Sequence, residues 1–223
     1  MRALLPAALL LPLLAACRPD QIEHLRDTKR IAVEAENWQV KRITPQNLLR
    51  ATQWAGDSLT RTAERELRQV LAQKLQEGGV AAALPYCRPA ALSATDSLAR
   101  RLQASLGWVS ARPRNPAHRA ALSPAELHPT DTTARRVARP GPEVFTYQRP
   151  LVLNDQLCLR CHGEVGKDIT AADYALIQKQ YPQDQATGYR LGQAAGVWRV
   201  SLQRPGVAEF WTMKTRKVFK RRF

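Results

Sequence analysis

Cys158-Leu159-Arg160-Cys161-His162 is a C-x-x-C-H stretch, the pattern of a covalent c-type haem attachment site. The rest of the chain reads as lid, ligand or anchor for that group. Two sulfurs three positions apart lie on one side of a helical turn, within reach of both vinyl groups of one porphyrin. His162 follows at once and falls beneath the iron as proximal ligand. Structural zinc would need four ligands, and no second tightly spaced Cys/His pair is present: His118 and His128 stand far apart. A thioredoxin-like C-x-x-C belongs in a βαβ context, which the approach through Pro150 and the exit at Gly163 do not supply. We expect one haem c per chain, attached at Cys158 and Cys161.

The first residues point to export. Met1-Arg2 is followed by an unbroken apolar run, Ala3 to Ala16, shorter than the roughly 20 residues that span about 30 Å of hydrocarbon. A signal peptide over 1–16 is therefore expected. The run ends in Leu14-Ala15-Ala16-Cys17, small residues before a cysteine that resemble the bacterial lipobox. Cleavage before Cys17 and its lipidation follow, a multi-chain anchor that holds stably to a bilayer. Ordinary cleavage with Cys17 incidental is the alternative. The expected location is the bacterial cell envelope, lipid-anchored and facing the periplasm or exterior.

Composition is that of a globular domain, 44% hydrophobic and 24% charged. The balance of charge is not ordinary. Thirty-four Lys and Arg against 19 Asp and Glu give a formal +15, which attracts anionic lipid or acidic proteins. Export and the lack of an aromatic-basic reader motif argue against nucleic acid. The membrane and a redox or signalling protein are the expected partners. Of the four cysteines, one goes to lipid and two to haem, which leaves Cys87 without a disulfide partner.

Along the chain, 17–44 is a polar tether or helix, 45–205 the haem domain and 206–223 a basic tail. Thr44-Pro45 is a helix start. From there Leu48, Ala51, Ala55, Leu59, Ala63, Leu67, Leu71 and Leu75 recur at helical spacing, with Glu64 and Arg68 assigned to the wet side and Gly78-Gly79 as the stop. Val80 to Leu84 is a second short helix, and Pro85-Tyr86-Cys87-Arg88-Pro89 breaks it. Ser93 and Asp96 suggest a capping box opening a helix through Leu106 that Gly107 closes. Trp108 to Ala111 reads as a strand, Arg112 to Pro116 as a cationic turn, and 117–142 as a long surface excursion. Glu143 to Leu153 reads as two strands or an edge strand bent at Pro150. Thr170 and Asp173 cap a short helix, and Val197 to Leu202 is a strand. Behind Phe210 and Trp211, the basic run from Lys214 to Arg222 suits a membrane-surface element or a solubilising end.

Four features in order resemble the bacterial c-type haem domain family found alone or as the extracytoplasmic sensor of histidine kinases and chemoreceptors. They are Cys87 after an apolar helix, Arg114-Asn115-Pro116, the C-x-x-C-H followed by Gly163, and Tyr181-Pro182-x-Asp184-x-Ala186-x-Gly188-Tyr189-x-x-Gly192. The resemblance covers about residues 45–203. It implies an α+β, PAS-like fold: an antiparallel sheet flanked by helices, with a long N-terminal helix and one covalently bound haem. It also implies Cys87 as the sixth iron ligand opposite His162, with burial as a small hydrophobe as the alternative. Arg114 either pairs with a propionate or shapes a turn, and Tyr189 either contacts the haem or fixes a loop. Met213, His24, His118 and His128 are the competing ligands, the histidines being read as surface residues and Trp198 as core. The sequence carries no transmembrane stretch after the domain and no kinase module. No hydrolytic constellation is recognisable, and the chain is not expected to be an enzyme. Redox or small-ligand sensing is the expected role, with a monohaem electron carrier as the alternative and a peroxidase-like enzyme behind both.

Overall fold

The structure, a computed structural model, describes residues 28–38, 42–88, 92–127 and 129–216. Cys17, His24, His128 and the tail beyond Arg216 lie outside the described residues. The chain divides into a unit of residues 43–214 and the terminal segments 1–42 and 215–223. In the first terminal segment, Thr28–Trp38 forms helix α1. No helix among the described residues is long and apolar enough to cross a membrane.

The 43–214 unit is α+β. Helix α2 (Pro45–Ala83) opens with the Thr44 side chain accepting from Asn47 N–H, which supplies one of the acceptors a helix start lacks. At Gly78 and Gly79 its backbone leaves helical geometry, with Gly79 at φ 64. The long helix therefore ends at the two glycines, and Val80–Ala83 is a further turn running into a 3₁₀ turn, Leu84–Tyr86. After α3 (Ser93–Arg101) come β1 (Ala104–Val109), α4 (Pro124–Leu127), β2 (Arg136–Ala138) and β3 (Val144–Val152). Then follow α5 (Gln156–His162), α6 (Ala171–Gln180), β4 (Ala194–Gln203) and α7 (Arg204–Thr215). The sheet order is β1-β4-β3-β2, and every neighbouring pair is antiparallel.

The expected antiparallel sheet, helical flanks and long N-terminal helix are all present. Period-2 alternation along β3 turns Phe145, Tyr147 and Arg149 inward. The first half of α2 meets that face through small side chains, Ala51, Ala55, Gly56 and Ala63, all buried. Leu48, Leu59, Phe145, Tyr147, Val200 and Leu202 form the core with Leu102 of the α3–β1 link and with Val207 and Phe210 of α7. Buried Thr52 and Thr60 satisfy their hydroxyls on the carbonyls of Leu48 and Gly56, each at 2.8 Å.

Four local expectations change. The helix after Ser93 stops at Arg101, and Leu106 and Gly107 lie in β1. Gln103, at φ 48, turns the chain back so that Ala104–Val109 pairs with β4, and this pairing overrides the leucine spacing that reads as helix. The start of α3 is capped by Glu66 of α2, whose carboxylate accepts from the N–H of Ala94 (2.9 Å) and Thr95 (3.0 Å); Asp96 instead pairs with Arg100. β3 is one strand through Pro150: β2 pairs only with Thr146, Tyr147 and Gln148, so the missing N–H falls where that side of β3 has no ladder to complete. Residues 204–215, expected largely as tail, form a helix whose Gly206, Val207 and Phe210 are buried.

Glu64 is not on a wet face. Its carboxylate lies 2.7 Å from Arg149 Nη2 and accepts from Trp198 Nε1 at 3.0 Å, while Arg149 Nε donates to Thr60 Oγ1 at 2.7 Å. The two charged side chains are only 18% and 8% exposed. Glu64→Gln would leave the Arg149 guanidinium buried without its counter-charge and should destabilise the protein by about 3 kcal/mol, measured as a lower urea midpoint. Replacing a helical glycine by alanine ordinarily gains roughly 1 kcal/mol. At Gly56 an added Cβ would overlap the Tyr147 ring, so Gly56→Ala should instead cost about 1–3 kcal/mol and lower the melting temperature.

Candidate haem site

Beyond Ala63 the apolar stripe of α2 continues through Leu67, Leu71 and Leu75, yet these leucines are only half-buried. They line a cavity closed on its other sides by the Leu84–Cys87 turn, the β3 end from Leu151, helix α5 and the 181–189 loop. Cys158, Cys161, His162 and Cys87 all lie on its wall, as do Arg114 and Tyr189. The structure therefore brings together every sequence-derived haem-site residue within the described part of the chain.

Local chemistry explains how α5 is held. Asp155 caps it by accepting from Leu157 N–H at 3.0 Å, and the helix runs to His162, which sets both cysteines one turn apart on the cavity side. At its other end the 184–189 loop clasps it: Gly188 N–H donates to Gly163 O at 2.7 Å and Tyr189 N–H to His162 O at 2.9 Å. Gly188 sits at φ 74, in the left-handed region that a side chain disfavours. The His162 Nδ1 lies 2.7 Å from Ala186 O. With Nδ1–H donated there, Nε2 is the free nitrogen, the arrangement that orients a metal-ligating histidine. Burial, then the Arg114 charge, lower the His162 pKa to about 4, although the Ala186 bond opposes them. The ring is neutral at neutral pH, as ligation requires.

Burial pushes the Cys87 thiol up to about 11, while Arg114 pulls the other way. Burial also raises the Cys158 and Cys161 thiols. These sulfurs sit as neutral thiols in an apolar hollow. Two sulfurs on one helical turn, an imidazole with a free nitrogen beside them, a further sulfur and a leucine wall fit a haem.

Arg114 and Asp184 form a buried ion pair, Nε to Oδ1 at 3.2 Å, with side chains 9% and 2% exposed. Asp184 Oδ1 also accepts from Ala186 N–H at 2.9 Å, and Arg114 Nη2 donates to Cys161 O. Arg114 thus braces the attachment helix, and Asp184 fixes the loop. Asn115 shapes a turn: its side chain accepts from Ala117 N–H at 3.0 Å and starts the 3₁₀ turn Pro116–His118. Tyr189 is buried, with the Arg112 guanidinium 4.8 Å over its ring and the His162 ring edge-on at 6.5 Å.

Several wall residues were not anticipated. His118, expected at the surface, is half-buried on the cavity wall, its Nδ1 3.1 Å from Trp108 O and its ring stacked on Trp108. Trp108 meets the buried Trp198 edge-on at 5.2 Å, and both line the cavity. Arg68, expected on a wet face, lines it too and donates to Asn154 at 3.5 Å. The only signal for this wall was the apolar stripe outlasting Ala63, because a sheet pairing brings the tryptophans in from residues far apart in sequence. Met213 is exposed and its sulfur faces Arg101, away from the cavity-lining set.

Among solved structures the chain is similar to the crystal structure of the cyanobacterial haem-protein Tll0287, at 20% identity and a TM-score of 0.42, over 65% of this chain and 92% of that one. No match is found among curated proteins. The Tll0287-like family model matches residues 46–203, and the chain belongs to that family.

Proposed function

We propose that this chain is a c-type haem protein of the bacterial cell envelope, anchored by lipid at Cys17, that works in redox or small-ligand sensing. The observation that carries it is the convergence of Cys158, Cys161, His162 and Cys87 on one leucine-walled cavity. Cys158 and Cys161 would hold the group as thioethers, His162 Nε2 would bind the iron from one side and Cys87 from the other. The bound haem supplies a one-electron couple and a coordination position for small ligands. The leucines of α2 exclude water from it, and the 184–189 loop keeps the imidazole in one orientation. A thiolate from Cys87 adds negative charge that favours the ferric state, so a low potential is expected. That suits a sensor better than a high-potential carrier. A monohaem electron carrier is the second possibility, favoured by the presence of a candidate ligand for each axial position.

Expressed with cytochrome c maturation machinery, the protein should keep its haem through denaturing electrophoresis. A wild type that holds zinc and no haem would sink the proposal. Cys87→Ala should alter the ferric low-spin spectrum and raise the potential; an unchanged spectrum and potential would return Cys87 to packing. Carbon monoxide binding by the ferrous protein separates the two roles, because a displaceable sulfur admits the gas and a permanently filled carrier site does not. Metabolic lipid labelling tests the anchor. Cys17→Ala should abolish the label, and a soluble wild type with an unmodified N-terminus elsewhere would reject it.

A further inference from the structure

Arg114 makes only part of the hydrogen bonding its guanidinium can offer. Nε and Nη2 are spent on Asp184 and on the Cys161 carbonyl, while Nη1 is buried and has no hydrogen-bond partner. A desolvated cationic donor without an acceptor is costly. Because Arg114 lines the haem cavity, its missing acceptor belongs to what the cavity holds when filled.

Two acceptors of suitable charge come with a c-type haem, a propionate and an iron-bound thiolate. In such a haem the thioether and propionate edges are opposite sides of the macrocycle. Arg114 is tied to the thioether edge, since Nη2 grips the carbonyl of Cys161 and Asp184 joins it to Ala186, the acceptor for His162. A haem attached at Cys161 would carry its propionates on the edge opposite its thioethers, away from the Cys161 carbonyl that Arg114 grips. Cys87 lines the same cavity as Arg114, and as an iron-bound thiolate its sulfur would be an anionic acceptor within that cavity.

We propose that Arg114 is a positioning residue for Cys87, its free Nη1–H donating to the sulfur when that sulfur is the iron-bound thiolate. This moves Arg114 from the propionate role expected from sequence to control of the axial ligand, and it rests on Cys87 being that ligand. A donated hydrogen bond withdraws electron density from a thiolate. The sulfur then gives less to the iron, and the potential sits higher than an unassisted thiolate would set it.

The test uses the haem-loaded full chain with Arg114→Lys and Arg114→Gln, covalent loading being checked by haem stain. Lysine keeps a cation for Asp184 but has no second terminal nitrogen on a fork, so it serves if the glutamine variant fails to fold. Both should lower the reduction potential and shift the ferric sulfur-to-iron charge-transfer band and the iron–sulfur stretching frequency. A lysine variant with wild-type potential, band and stretch would overturn the hydrogen bond and leave Arg114 as a brace. In a Cys87→Ala background Arg114→Lys should scarcely move the potential; an equal shift in both backgrounds would overturn action through the sulfur. Failure of the ligand assignment itself looks different, because Cys87→Ala alone would then leave the spectrum unchanged.

Discussion

A guanidinium and a carboxylate buried against each other, Arg114 and Asp184, hold three separate stretches of chain in one place. Through them the turn before His118, the loop that carries Tyr189 and the helix that carries the two cysteines share a single network. Burying both charges is expensive, and the attraction between them offsets the cost only because each group is also hydrogen-bonded. Asp184 answers with the Ala186 N–H, and Arg114 with the Cys161 carbonyl. The orientation of His162 follows, since Ala186 O is its Nδ1 acceptor.

A second constraint comes from α2, one helix with two environments. Its first half carries alanines and Gly56 where the Tyr147 ring presses in, which lets the helix lie close to the sheet. Its second half carries leucines at the same spacing; Leu67 still packs against the cluster of Ala63, Leu92 and Trp198, and Leu67, Leu71 and Leu75 all line the cavity. Between the two halves, Glu64 takes Arg149 and Trp198 and closes the core with a buried ion pair and a tryptophan hydrogen bond. Glu64 and Trp198 of that network also line the cavity, so its apolar wall and the packed core are consecutive turns of the same helix.

Much of this was legible in the sequence, for physical reasons that are local. C-x-x-C-H places two sulfurs and an imidazole on one helical turn whatever surrounds them. Thr44-Pro45, Gly78-Gly79 and Thr170 act on backbone groups a few residues away, and each does in the structure what its chemistry dictates. The 3.6-residue stripe of α2 and the alternation of β3 are likewise properties of one segment.

What only the tertiary structure decided lies between segments. Leu98, Leu102 and Leu106 have helical spacing, but β4 offers hydrogen bonds along Ala104–Val109 and the chain turns at Gln103 to take them. Glu64 and Arg149 are 85 positions apart in number and meet because a helix crosses a strand. His118 read as a surface histidine, yet a 3₁₀ turn stacks it on Trp108 at the cavity wall. Periodicity reports which face of an element is apolar, and it carries no information on which distant residue that face will meet. The sequence by itself determined the attachment helix, its sulfurs and its imidazole. The ion pair that orients them, and the wall that encloses them, come from contacts across long separations that exist only once the sheet and α2 have packed.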